Sequence, residues 1–150
     1  MLSKRIVLIP VNTHGTHWIL IVVTRLGDMS QPFEIEVFDS YHKNVDRYII
    51  TVKELWQRML KDDDMPMKLH KDFPHARKMI QVIPVAKRTV PRQTNTIDCG
   101  VFVCMFAFCC VHEIKMNSFT QQDVPFFREH IGISLLSGKI ENLFKYPKFV

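Results

Sequence analysis

The sequence is short of the features that mark unusual chains. Glycine occurs five times in 150 residues and proline eight times, too few for a low-complexity or disordered chain, and no segment repeats. Long hydrophobic runs are missing as well. The apolar stretch Val101 to Val111 has eleven residues, about half of the roughly 20 that a transmembrane helix needs. A buried core helix fits it better, and no membrane partner is expected. The apolar run Ile6 to Val11 behind Lys4 and Arg5 is too short for the hydrophobic region of a signal peptide. Cysteine is scarce and badly spread for crosslinking. Cys99, Cys104, Cys109 and Cys110 are the only four and fall within twelve residues, whereas a disulfide framework spreads its cysteines to close loops. Reduced thiols are expected, and with them a nuclear or cytoplasmic setting.

What is present suits a globular protein. Apolar residues make up 47% and charged residues 23%, and the length fits a single domain over residues 1–150, expected as a monomer. The net charge is +5, and the excess is local. Between Lys68 and Arg92 there are seven Lys or Arg and one acid, Asp72. Such a segment faces an acidic partner or is simply a solvated loop. It carries no nucleic-acid motif and a single aromatic, Phe73, so nucleic acid is not expected as a partner.

Along the chain the hydrophobic period changes once, then again. Ile6 to Pro10, His17 to Thr24 and Phe33 to Asp39 read as strands, the last alternating apolar and polar so that one face is wet. The second and third, joined across Gly27 to Pro32, make an antiparallel hairpin. Val45, Tyr48, Ile49, Val52, Leu55, Trp56, Met59 and Leu60 recur at helical spacing behind the N-cap Asn44, with Pro66 beyond the end. Met79 to Val85 reads as a further strand, and residues 86–98 as loop. Cys99 to about Lys115 is a nearly all-apolar helix. Thr120 to Asp123 is a capping box that opens a last helix, with Pro125 near its first turn and Val124, Phe127, Ile131, Leu135 and Leu136 facing inward. Strands, helix, strand, then two helices favour an α+β fold.

Chemistry gathers at the ends of these elements. Cys99 stands where a loop meets the buried helix, and there the open N–H groups and the positive end of the helix dipole favour thiolate over thiol. Gly100 beside it admits a close substrate backbone. His17 opens one strand and Asp39 closes its antiparallel neighbour, so the two are spatial neighbours despite lying 22 apart in sequence. A carboxylate in that place holds an imidazole in one tautomer. Gln93, six residues before Cys99, offers its amide NH₂ to an oxyanion together with the Cys99 N–H. Nucleophile, base, orienting carboxylate and oxyanion donor are the parts of a cysteine protease.

Local sequence supports this. His17-Trp18, Val37-Phe38-Asp39-Ser40 and Pro91-Arg92-Gln93-Thr94-Asn95-Thr96-Ile97-Asp98-Cys99-Gly100-Val101-Phe102-Val103-Cys104 resemble the ubiquitin-like-protein protease (Ulp), or SUMO-specific protease (SENP), family. Phe119 to Arg128 resembles the terminal-helix opening of its SUMO-specific members. The resemblance runs from about Val7 to Phe144 and implies a papain-like fold in the permuted order His, Asp, Gln, Cys. It also implies a roster of roles: Cys99 as nucleophile, His17 as general base and acid, Asp39 as orienting carboxylate, Gln93 as oxyanion donor, and Trp18, Asp98 and Gly100 at the substrate. Trp18 would wall a narrow tunnel for a Gly-Gly tail, and it can at the same time be a core aromatic of its strand. The implied activity is cleavage after the C-terminal Gly-Gly of SUMO or a similar modifier, from lysine conjugates or precursors, without metal or cofactor. In the family a leading helical segment with another substrate-contacting aromatic precedes the first strand. Here the strand starts almost at once, so an N-terminally truncated domain is expected, and Thr96 replaces a common glycine.

Rival readings remain. The chain can be a module that binds a ubiquitin-like protein without cleaving it, and deubiquitinating, deneddylating or viral proteases share the same order of catalytic groups. A zinc site from His14, His17 and the cysteines lacks the paired Cys spacing of structural sites.

Overall fold

The computed structural model describes residues 5–25, 33–41, 46–59, 80–82 and 90–139. Strand β1 (Arg5–Thr13) turns into β2 (His17–Arg25), followed by β3 (Phe33–Phe38), helix α1 (Asp46–Met59) and the short strand β4 (Ile80–Val82). Helix α2 (Cys99–His112), two single 3₁₀ turns (Met116–Ser118 and Gln121–Asp123) and helix α3 (Val124–Ser137) complete the order. The sheet order is β1-β2-β3-β4. The first three strands are antiparallel, whereas β4 runs parallel to β3, with Phe33 opposite Ile80 and Ile35 opposite Val82. The architecture is thus the α+β expected.

The chain divides into two compact units. One comprises Met1–Ile9, Ile21–Val37 and Lys43–Lys87, the other Pro10–Leu20, Phe38–His42 and Arg88–Val150. In the first, α1 buries Ile49 and Val52 but leaves Leu55 exposed, although it keeps the same helical spacing. Gly27 to Pro32, Asn44, Pro66 and most of the basic segment Lys68 to Arg92, with Lys87 and Arg88, lie outside the described residues. So do Met79 and Ile83 to Val85, leaving Ile80–Val82 of the expected fourth strand.

The β1–β2 connection is tighter than the sequence suggested. Strand β1 continues past Pro10 to Thr13, which a proline permits on an edge strand. His14 and Gly15 then take positive φ, 56° and 74°, and Thr16 N–H donates to Thr13 O at 3.2 Å. Two central residues of this hand match the twist of a hairpin. Thr13 Oγ1 donates to His17 O at 3.1 Å, so the turn fixes where His17 enters β2. The β2 core is as apolar as expected, with Ile19, Leu20, Ile21, Val22 and Val23 all buried. The alternation of β3 misled: Glu36 is buried along with Ile35 and Val37, so its polar face is not wet there.

The second unit is built on phenylalanine. Phe38 at the end of β3 packs on Phe106 of α2 with ring centroids 5.6 Å apart. Phe119 meets Phe102 at 5.6 Å, Phe106 at 5.8 Å and, edge-on, Phe127 of α3 at 5.7 Å. Each such ring, fully buried, contributes roughly 2–3 kcal/mol of transfer free energy, and tilted or edge-on pairs add about 0.5–1.5 kcal/mol. This cluster clamps the strand end that carries Asp39 against the helix that begins at Cys99.

Helix α2 stops at His112, earlier than Lys115, because Glu113 flips to φ 57° and the Ile114 N–H closes on Cys109 O at 3.0 Å. The expected capping box exists: the Thr120 N–H donates to Asp123 Oδ2 at 2.7 Å and the Thr120 hydroxyl to the same oxygen at 3.0 Å. It serves the 3₁₀ turn that leads into α3. On α3 the inward face is shorter than the periodicity implied. Val124 and Phe127 are buried, but Leu135 is 79% and Leu136 92% exposed, since helical spacing marks the apolar face without saying how far packing reaches along it. No described helix is long and apolar enough to cross a membrane.

Candidate active site

The predicted neighbours meet. His17 Nε2 lies 2.8 Å from Asp39 Oδ1, and both residues are buried. An ionised carboxylate only accepts, so Nε2 carries the proton and Nδ1 holds the lone pair. Among the described residues Nδ1 is buried and has no hydrogen-bond partner. The imidazole is thus oriented at one nitrogen and left open for proton transfer at the other. Asp39 is itself steadied by the Tyr41 N–H, which donates to Oδ1 at 2.8 Å.

Gln93 is also buried, and it is held to the same strand end. Its N–H donates to Ser40 O at 3.0 Å, and the Ser40 hydroxyl donates to Gln93 Oε1. Gln93 Nε2 donates to Asn95 O at 2.6 Å. A primary amide has two N–H bonds, so among the described residues one of them is left for a ligand.

Cys99 is the first residue of α2, buried, and a free thiol like the other three cysteines. Of those others, Cys109 is poorly suited to nucleophilic work. Burial with the neighbouring Cys110 pushes the Cys109 thiol up to about 12. The first N–H groups of an α-helix have no acceptor within it, and an aspartate at the N-cap usually takes one. Asp98 occupies that position but makes no such cap bond. Its Oδ2 accepts from Asn95 Nδ2 and from Gln121 Nε2 at 2.6 Å, and its Oδ1 from Arg128 Nε at 3.0 Å and from Arg128 Nη2. Asp98, expected at the substrate, therefore turns both carboxylate oxygens to donors of its own chain. Burial alone would raise its pKa, but the hydrogen bonds from Asn95, Arg128 and Gln121, with the Arg128 charge, outweigh it and hold the carboxyl below its ordinary 3.8. With Asp98 engaged elsewhere, the N–H groups that open α2 are left uncapped by its carboxylate.

The same donors shape the loop ahead of Cys99. Arg128 Nη2 reaches Ile97 O at 3.0 Å, and the Thr94 N–H donates to Gln121 Oε1 at 2.9 Å. A Cβ added at Gly100 would meet nothing within 4 Å, so the protein's own packing makes no demand for glycine there. Trp18 is 41% exposed beside the buried His17, so it is not the core aromatic its strand suggested.

The chain's sequence matches the family model described as Ulp1 protease family, C-terminal catalytic domain, over residues 1–136. The chain belongs to the Ulp1 protease family. Ulp1-family domains are papain-like cysteine peptidases that act on SUMO and other ubiquitin-like proteins, and the sheet with its flanking helices is that fold. Tyr41, Ser40, Gln121 and Arg128 were not singled out from the sequence as parts of this Ulp1-family site. Ser40, Gln121 and Arg128 stand inside the segments that carry the resemblance, which was the one available signal.

Proposed function

We propose that the chain is a thiol protease that cleaves after the C-terminal Gly-Gly of SUMO or a similar ubiquitin-like modifier, releasing it from lysine conjugates or from precursor extensions. The observation that carries this reading is the buried His17–Asp39 pair with Nδ1 left unpartnered, in the same compact unit as a cysteine that opens a helix. Cys99 gives its thiol proton to His17 Nδ1, and the thiolate attacks the carbonyl carbon of the last glycine. The tetrahedral oxyanion is met by the free N–H of the Gln93 amide and the Cys99 N–H. Protonated His17 donates from Nδ1 to the departing amine, and the C–N bond breaks to leave a thioester. Neutral His17 then takes a proton from water through Nδ1. The hydroxide adds, and the thiolate leaves. Trp18 and Gly100 are the side-chain wall and the open backbone at which a tail without side chains would lie.

Purified protein should be incubated with SUMO carrying a short C-terminal extension, with SUMO joined to a lysine side chain, and with the corresponding ubiquitin substrates. Cleavage after Gly-Gly of SUMO, absent in Cys99→Ala, is expected. Cleavage of ubiquitin substrates alone would overturn the assignment of SUMO. Binding of SUMO without cleavage of either substrate would favour the non-catalytic module.

A further inference from the structure

We infer that Tyr41 is a positioning residue that couples the His17–Asp39 pair to the oxyanion donor Gln93, an assignment that rests on the peptidase reading above. The residue makes three contacts with separate parts of the site. Its ring lies against the His17 imidazole, with centroids 4.6 Å apart and planes at 37°. Its N–H donates to Asp39 Oδ1 at 2.8 Å, the oxygen that also faces His17 Nε2. Its hydroxyl donates to Asn95 O at 2.8 Å, across 54 residues of sequence.

That last carbonyl is the one that accepts Gln93 Nε2 at 2.6 Å. A carbonyl oxygen has two lone pairs, and Tyr41 and Gln93 are suited to share them. The Gln93 amide is therefore held at both ends: Oε1 takes the Ser40 hydroxyl, and Nε2 is anchored on a carbonyl that Tyr41 keeps in place. Because a primary amide is planar, fixing Oε1 and one N–H fixes the direction of the second N–H, the one left for an oxyanion. The ring contact adds a separate constraint. It limits rotation of the imidazole, so that the carboxylate at Nε2 and the open Nδ1 keep their directions. The phenol acts as a positioning donor, its hydrogen directed at a main-chain oxygen.

The test uses the full chain and a SUMO whose C-terminal glycine is capped by a fluorogenic amine, with kcat and KM measured separately. Tyr41→Phe keeps the ring and the N–H and removes only the hydroxyl. It should lower kcat about tenfold, less than the loss of an oxyanion donor itself, with KM within about twofold. In the Gln93→Ala background the same change should have no further effect, because the hydroxyl acts through that amide. Tyr41→Leu, which also removes the ring, should lower kcat beyond Tyr41→Phe in both backgrounds. Wild-type kcat in Tyr41→Phe would overturn the inference, and so would an equal loss in the Gln93→Ala background. An equal kcat in Tyr41→Leu and Tyr41→Phe would remove the role of the ring. Wild-type protein without activity would sink the peptidase reading and this one with it, whereas an active wild type indifferent to Tyr41→Phe would sink this one alone.

Discussion

Asp39, at the end of β3, and Asp98, at the start of α2, are both buried, yet their surroundings differ in kind. Asp39 faces an imidazole whose other nitrogen is buried without a partner among the described residues. Asp98 faces a guanidinium and two carboxamides that take up both of its oxygens. A neutral imidazole can gain and lose a proton at neutral pH, and a guanidinium cannot. The first corner is therefore arranged for proton movement and the second for rigidity. Rigidity is placed under Cys99, the proposed nucleophile, where the loop Thr94 to Asp98 is tied to Gln121 and Arg128, and mobility of a proton is placed where the strand ends converge.

That contrast can be broken from either side. The largest effect is expected from Asp39→Asn. An amide in that position can present its NH₂ to Nε2 and favour the tautomer with the proton on the wrong nitrogen. Turnover should fall by about 10⁴, while the melting temperature changes little; comparable losses of both would mean that Asp39 is mainly a structural carboxylate. On the other side, Arg128→Met should cost stability first. It leaves Asp98 buried with one oxygen poorly paired, at about 1–2 kcal/mol after allowing for the half-exposed guanidinium. Denaturant midpoints would show this, and the folded fraction should retain most of its turnover.

The smallest effect lies in acid. The folded-state pKa of Asp98 is depressed below 3.8, so its contribution to stability is fully present above its unfolded value and is lost as pH falls through the lower folded value. Asp98→Asn should therefore flatten the loss of stability as pH falls below about 4 while lowering stability at neutral pH. An unchanged slope would mean that the brace does not hold the ionised form.

Much of this site was legible in the sequence because it follows from local rules. An antiparallel pair puts the start of one strand beside the end of the next, and that alone joined His17 to Asp39. An apolar helix after a loop placed Cys99 at an N-terminus, and the Thr120–Asp123 pattern gave its capping box. What local rules do not contain is the bracing. Tyr41 reaches Asn95 across 54 residues, Ser40 reaches Gln93 across 53 and Arg128 reaches Asp98 across 30, and no periodicity encodes such pairs. The failures have one cause as well. Leu55, Leu135 and Leu136 keep helical spacing yet are exposed, because a pattern names a face and only packing decides how much of it is covered. Glu36 fails in reverse, a charged residue on an alternating strand whose face is buried.

The central claim, that Cys99 is a nucleophile directed at a modifier of the SUMO type, is tested most directly by covalent capture. The chain and its Cys99→Ala variant would be incubated with SUMO bearing a thiol-reactive electrophile in place of its terminal carboxylate, and the products weighed. An adduct carried by Cys99 and missing from the variant is the predicted result. Folded protein that forms no adduct with SUMO, ubiquitin or their relatives, or an adduct that persists in Cys99→Ala, would contradict it.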